Sequence, residues 1–188
     1  SEIKELVDTR WAKRKKFIKT CTSTLSVSNL DHLHDAGFLS DSYYETYKEW
    51  TSHVNDSTDD WYLNEGFYYK EIRTPEDRTK YILETLQRDG GMGVKQYTKK
   101  AEIYKEVSQE LKQIPARDRA GISDVFEGAT LSKVNAGYGH GNDYWNISSR
   151  DSLALEAFAN MGSAYMNTSD NNCLEVFKKW LPKSTQVF

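Results

Sequence analysis

Apolar residues in this chain recur at three- and four-residue spacing in one stretch after another, which commits most of it to helices that bury a single face. Ile103, Val107 and Leu111 form such a ridge within residues 97–113, and Pro115 stops it. Tyr81, Ile82 and Leu86 form another behind Thr74-Pro75-Glu76-Asp77. That tetrapeptide is a helix start: a threonine N-cap, a proline at the first helical position, and two acids at the positive end of the helix. Residues 1–20 read as a helix, and 28–50 as two, with Gly37 at the C′ position of the first and Ser40 or Asp41 capping the second. A short helix is expected around 118–127. Ser149-Arg150-Asp151 opens the next, whose Leu153, Ala157, Met161, Ala164 and Tyr165 share one side. Asp170-Asn171 opens the last, with Leu174, Phe177 and Leu181 inward and Pro182 closing it.

Strands have one natural place. The aromatic run WYLNEGFYYKEI at 61–72 follows the acidic turn NDSTDD and predicts a strand or hairpin near Asn64-Glu65-Gly66. The fold class is therefore mainly α, shading into α+β, as a helical domain with a small element of two to four strands. The segment GGMGV after residue 89 follows a helix and lacks the order of a phosphate-binding loop, so it reads as a flexible joint. The expected organisation is a basic helix over 1–24 and one globular domain over 25–188.

Length and composition fit that scheme. The 188 residues are 38% hydrophobic, but twelve Tyr, seven Phe and five Trp supply the buried area that a polar chain otherwise lacks. No stretch of about 18 apolar residues could span a membrane, and no apolar segment follows the N-terminal charges as a signal peptide would require. A net charge of −3 and a pI of 5.8 exclude a nucleic-acid binder of the whole-surface kind. Locally, Arg10, Lys13, Arg14, Lys15, Lys16 and Lys19 suit a contact with phosphate or acidic protein, although they run around the helix as on a solvated one. Tyr43, Tyr47 and Trp50 recur at helical spacing as a buried face, not a stacking platform for bases. Cys21 and Cys173 are too few for a disulfide framework, and two free thiols suit a reducing compartment.

The densest chemistry lies in Gly137-Tyr138-Gly139-His140-Gly141-Asn142-Asp143-Tyr144-Trp145. Flanking glycines permit positive φ and bring an imidazole close to another group, while Tyr138, Asp143, Tyr144 and Trp145 can orient it. Such an imidazole is either an acid/base or metal position, or a structural turn packed on its neighbours. Glu156 sits at the edge of an apolar ridge and needs a partner, with His140 the first candidate and Tyr or Trp donors from the glycine-rich segment the next. His32 and His34 form a second metal-like cluster, but at i and i+2 on a helix they point apart. No cofactor is expected, and zinc on His32, His34 or His140 is the one candidate. HExxH, GxSxG, kinase and Rossmann motifs are absent from the sequence. The triplets at Asn55, Asn146 and Asn167 match the glycosylation sequon without any sign of a secretory route.

Three segments carry a resemblance. Ile122-Ser123-Asp124-Val125-Phe126-Glu127-Gly128-Ala129-Thr130 with Lys133 is the first, and Tyr138-Gly139-His140 with Tyr144-Trp145 the second. The third is Leu155-Glu156-Ala157-Phe158-Ala159 leading to Trp180-Leu181-Pro182-Lys183. In order and spacing, residues 112–182 resemble the C-terminal region of phage minor head proteins, the head-morphogenesis family related to the Mu F protein. The resemblance implies a non-catalytic virion component that works with portal and other head proteins, located in the virion and in the host cytoplasm during assembly. It also implies a degenerate zincin-like core, with His140 and Glu156 as remnants, and so the alternative of a hydrolase or degenerate metallopeptidase. Some C-terminal regions of that family carry effectors, which adds the alternative of a phage effector binding a host protein. Residues 1–110 carry no such resemblance.

Overall fold

A computed structural model of the chain describes residues 1–56, 72, 74–88, 91–94, 99–140, 144, 150–166 and 172–187. Every regular element among them is a helix, so the mainly α class holds. The expected hairpin at 61–72 falls, except for Ile72, outside the described residues. No helix among the described residues is long and apolar enough to cross a membrane.

Side-chain caps set several of the boundaries. α1 is Glu2–Cys21 and α2 is Val27–Asp35, which Ser26 caps by accepting the Asn29 N–H. α3 is Asp41–Ser52, capped by Ser40. α4 is Pro75–Gln87, where the Thr74 hydroxyl accepts the Asp77 N–H and the Asp77 carboxylate accepts the Thr74 N–H, a complete capping box. α5 is Lys100–Lys112, α6 Ala116–Thr130, α7 Arg150–Met166, α8 Asn172–Trp180 and α9 Pro182–Thr185. Two expectations change here. α6 is longer than 118–127 and absorbs Gly128-Ala129-Thr130, because nothing breaks the helix until Leu131 and Ser132 turn left-handed at φ 52 and 59. Pro182 does not only close α8, since it also starts α9 from the first helical position.

The chain divides into two compact units, residues 1–11 with 100–188, and residues 12–99. The sequence reading draws its boundary behind the basic helix at residue 24, whereas the units divide within α1 and just before α5. In the first unit, α6 packs on α5, α7 and α8. Its core holds Ile103, Val107 and Leu111 of α5, Ile122, Val125 and Phe126 of α6, and Phe177 and Trp180 of α8, with Ile3 and Val7 from the start of α1. Met161 and Ala164 are buried as expected, Ala157 and Tyr165 are half-buried, and Leu155 and Phe158 face outward. The Glu2 carboxylate accepts from the N–H groups of Lys183 and Ser184 at 2.7 and 3.0 Å and from the Ser184 hydroxyl at 2.6 Å. Burial alone would raise the Glu2 carboxyl, but these hydrogen bonds outweigh it and hold the group below its ordinary value.

The second unit packs α3 against α2 and α4. Tyr47 is fully buried at the centre, its hydroxyl donating to the Met92 carbonyl at 3.2 Å, and burial raises that phenol far above its ordinary pKa. Tyr43 and Trp50 pack beside it, so the aromatic stripe is a core face. The expected joint after residue 89 is tied down where it is described. Val94 is buried, and its N–H donates to the Leu86 carbonyl at 2.7 Å. Cys21 is buried, Cys173 in the first unit is half-buried, and both are free thiols.

One charge lies inside the second unit. Arg78 is 2% exposed, and its guanidinium donates to the carbonyls of Ile72, Val54 and Asp56 at 3.3, 3.2 and 2.8 Å. The planar fork reaches chain on both sides of residues 57–71 at once, which an ammonium could not do with the same geometry. Arg78→Met should therefore lower the unfolding free energy by about 3 kcal/mol, and Arg78→Lys should recover only part of it. Urea denaturation followed by circular dichroism checks both.

Candidate functional site

The site around His140 is built on α6, a helix buried on more than one side. Ser123, Glu127 and Thr130 point into the protein as fully as Ile122, Val125 and Phe126 do. Polar groups removed from water need partners. The hydroxyls find theirs in the chain that follows the helix. Thr130 Oγ1 donates to the Phe126 carbonyl and accepts the Val134 N–H at 3.0 Å. Ser123 Oγ accepts the N–H groups of Ala136 and Tyr138 at 3.0 and 3.4 Å. From α5, Ser108 Oγ accepts the Asn135 N–H at 3.0 Å. Three helix-borne hydroxyls thus strap residues 134–138 down, with Val134 and Ala136 buried between them.

The strap ends at the glycines. Gly137 takes φ +93, the positive angle foreseen for this segment. Gly139 serves through its missing side chain instead: a Cβ there would lie 1.9 Å from Glu127 Oε1. His140 follows, with Nε2 3.7 Å from Asp124 Oδ1, an ion-pair distance too long for a hydrogen bond. Its ring stacks on Tyr144 with centroids 4.1 Å apart and planes 25° apart. The Tyr144 hydroxyl in turn donates to Glu156 Oε1 at 3.1 Å, and Asn160 Nδ2 donates to the Glu156 carbonyl at 3.0 Å and to its Oε2 at 3.4 Å.

Electrostatics follow from this convergence. Burial pushes the Asp124 carboxyl above its ordinary value, the His140 imidazole pulls it back, and the Glu156 and Glu127 charges push it further up. The hydrogen bond to Glu156 is the largest of the causes that raise the Tyr144 phenol. The raised Asp124 favours its protonated form, and the arrangement ties α6, the His140 segment and α7 together through Tyr144.

The sequence-predicted residues fall out as follows. His140, Tyr144 and Glu156 are brought together, but the link from Glu156 is the Tyr144 hydroxyl, the second of the two partners foreseen. The carboxylate beside the imidazole is Asp124. Tyr138 is half exposed, with the Arg119 guanidinium 4.9 Å from its ring centroid. Asp143 and Trp145 lie outside the described residues. His32 and His34 belong to the second unit, on α2. His32 is exposed, while His34 stacks on Tyr44 at 4.2 Å and sits 2.9 Å from Asp41 Oδ1. Among the described residues no group of three or more His, Cys, Asp or Glu is arranged to hold a metal ion. In the basic run, Arg10 pairs with Glu110 at 2.7 Å and lies 5.4 Å from the Trp180 ring centroid, and Arg14 lies 5.4 Å from that of Phe38. Sequence reasoning did not single out Ser108, Ser123, Asp124, Glu127 or Thr130 as site residues. The available signal was Ser123 and Glu127 flanked by Ile122, Val125 and Phe126 within one helical segment.

Compared with protein-family models, with curated proteins and with solved structures, the chain has no significant match.

Two outcomes follow. Gly139→Ala forces a methyl into the Glu127 carboxylate and should cost about 1–3 kcal/mol of stability, read by urea denaturation. Asp124 has a raised pKa in the folded state, so its ionisation above that pKa opposes folding, and the penalty fades as pH falls toward the unfolded value. Asp124→Asn should therefore melt higher than the parent at pH 7, with the difference shrinking as the pH approaches 4. Thermal scans across that pH range check the sign.

Proposed function

We propose that this chain is a phage-derived minor head domain, a non-catalytic virion component that acts through protein contacts in head morphogenesis. Its partners on this reading are other head or portal proteins, met in the host cytoplasm during assembly and kept in the virion. Support comes first from the three segments that resemble the C-terminal region of minor head proteins, all of which belong to the unit built on α6. The single observation that carries the non-catalytic part is the mutual engagement of the site's reactive groups. His140 stacks on Tyr144, whose hydroxyl is spent on Glu156, and Asp124 lies beside the imidazole. Groups that hold one another across two helices and a loop make a brace.

A second reading, a hydrolase or degenerate metallopeptidase centred on His140 and Glu156, is favoured by one observation. The charges of Glu127 and Glu156 add to burial in raising Asp124, which lies beside an imidazole, as in a site tuned for proton transfer. Its zincin-like form would take zinc on His140. A third reading, an effector that binds a host protein, rests on the family resemblance alone.

The brace is tested by His140→Ala, which should lower stability by about 1–3 kcal/mol in urea denaturation and leave co-elution with portal rings of the encoding phage to fall in proportion to the folded fraction. A variant that melts like the parent while a zinc-dependent peptidase activity disappears would replace the brace with the second reading.

A further inference from the structure

Away from His140, the first unit has a cleft of about 510 Å³ between the N-terminal part of α1 and the first turns of α5, within the range of small-ligand sites. Lys4, Lys100, Lys105 and Lys133 line it together with Tyr104 and a single carboxylate, Asp8. Four ammonium groups around one concavity run against the sign of the whole chain, whose net charge is −3. Like charges converge at a cost unless something neutralises them, and a concave wall concentrates their field.

The nearby acids offset only part of the set: Asp8 acts on both Lys100 and Lys4, and Glu102 on Lys105. Asp8 is taken by Lys100, whose Nζ lies 2.6 Å from Asp8 Oδ1 and 4.5 Å from the Trp11 ring centroid. Glu2 and Glu5, on the same first turns of α1 as Lys4, are turned to Ser184 and Lys183. Lys105 touches Glu102 at 3.0 Å, but this is a surface pair with side chains 69% and 43% exposed and so worth little. Lys4 and Lys133 make no ion pair among the described residues. Lys133 Nζ lies over the ring of Tyr104, 5.7 Å from its centroid, and Tyr104 is half-buried against the core, so a base reaching the outer face of the ring takes the place of that ammonium.

Compact ammonium charges on flexible stems contact phosphates without reading sequence, and an aromatic wall among them suits a stacked base. An acidic peptide would match the charge but leave the ring without a planar partner. We propose that this cleft binds single-stranded nucleic acid, with Lys4, Lys105 and Lys133 on successive phosphates and Tyr104 against a base. The inference does not depend on the head-assembly reading. It assigns the contact to residues other than those of the basic run of α1, where Arg10 and Arg14 are already engaged.

The test is fluorescence anisotropy of a labelled oligothymidylate of about 16 nucleotides with the full chain. Three neutralised phosphates predict a loss of about 20-fold in affinity between roughly 50 and 200 mM salt. The triple variant Lys4→Gln/Lys105→Gln/Lys133→Gln should lose at least about tenfold at the lower salt and flatten the slope, with an unchanged melting temperature. Tyr104→Leu should weaken binding by about tenfold. Lys13→Gln/Lys15→Gln/Lys16→Gln, on the basic run, should change it less than about twofold. If the triple variant does not fold, Lys4→Gln and Lys133→Gln are read singly, each with a smaller loss and a shallower slope. Absence of binding at low salt overturns the proposal. So does binding that survives the cleft variants or is lost in the α1 variant. Polyglutamate competing as well as the oligonucleotide at equal charge overturns it too, in favour of an acidic protein.

Discussion

The constraint that organises the first unit is a helix, α6, whose stretch from Ile122 to Thr130 has almost no solvent side. Over α6, Ile122, Ser123, Val125, Phe126, Glu127, Gly128 and Thr130 are all buried. A helix enclosed to that degree must either be apolar all round or give each polar side chain a partner. Here the hydroxyls do the second, and their partners are backbone N–H groups of the chain that follows. The same requirement that makes α6 a core element therefore fixes residues 134–138, and through them the place of His140. Packing and site are one problem in this unit.

Much of the architecture was legible from local chemistry. The threonine–proline start of α4, the serine cap of α3 and the ridge Ile103, Val107, Leu111 each depend on residues close in sequence, and each stands where expected. The end of α6 was not legible. A left-handed leucine followed by a left-handed serine has no sequence signature, because neither residue favours that conformation, and only the surrounding packing holds it. Arg78 was hidden for the same reason. In sequence it looks like one more charge on an amphipathic helix, and its role depends on carbonyls of chain up to 24 positions away.

At the site the reading was half right in kind. Glycine-flanked His140 and the ridge-edge Glu156 drew attention because their residue types are chemically expressive. Asp124 did not, since an aspartate among Ile122, Ser123 and Val125 reads as the polar face of an ordinary helix. Its significance comes from a turn of chain that returns, some 16 residues later, to lay an imidazole beside it. The general lesson is physical. Periodicity reports which side of a helix is dry, and a polar residue on a dry side is the one worth pursuing across the chain.

The engagement of Glu2 with Lys183 and Ser184 has a mechanical consequence. Residues 181 and 182 positions apart share one set of hydrogen bonds, so the two extremities of the first unit fray or hold as a single latch. Amide exchange at the opening turn of α1 and at Lys183 and Ser184 should therefore rise and fall together.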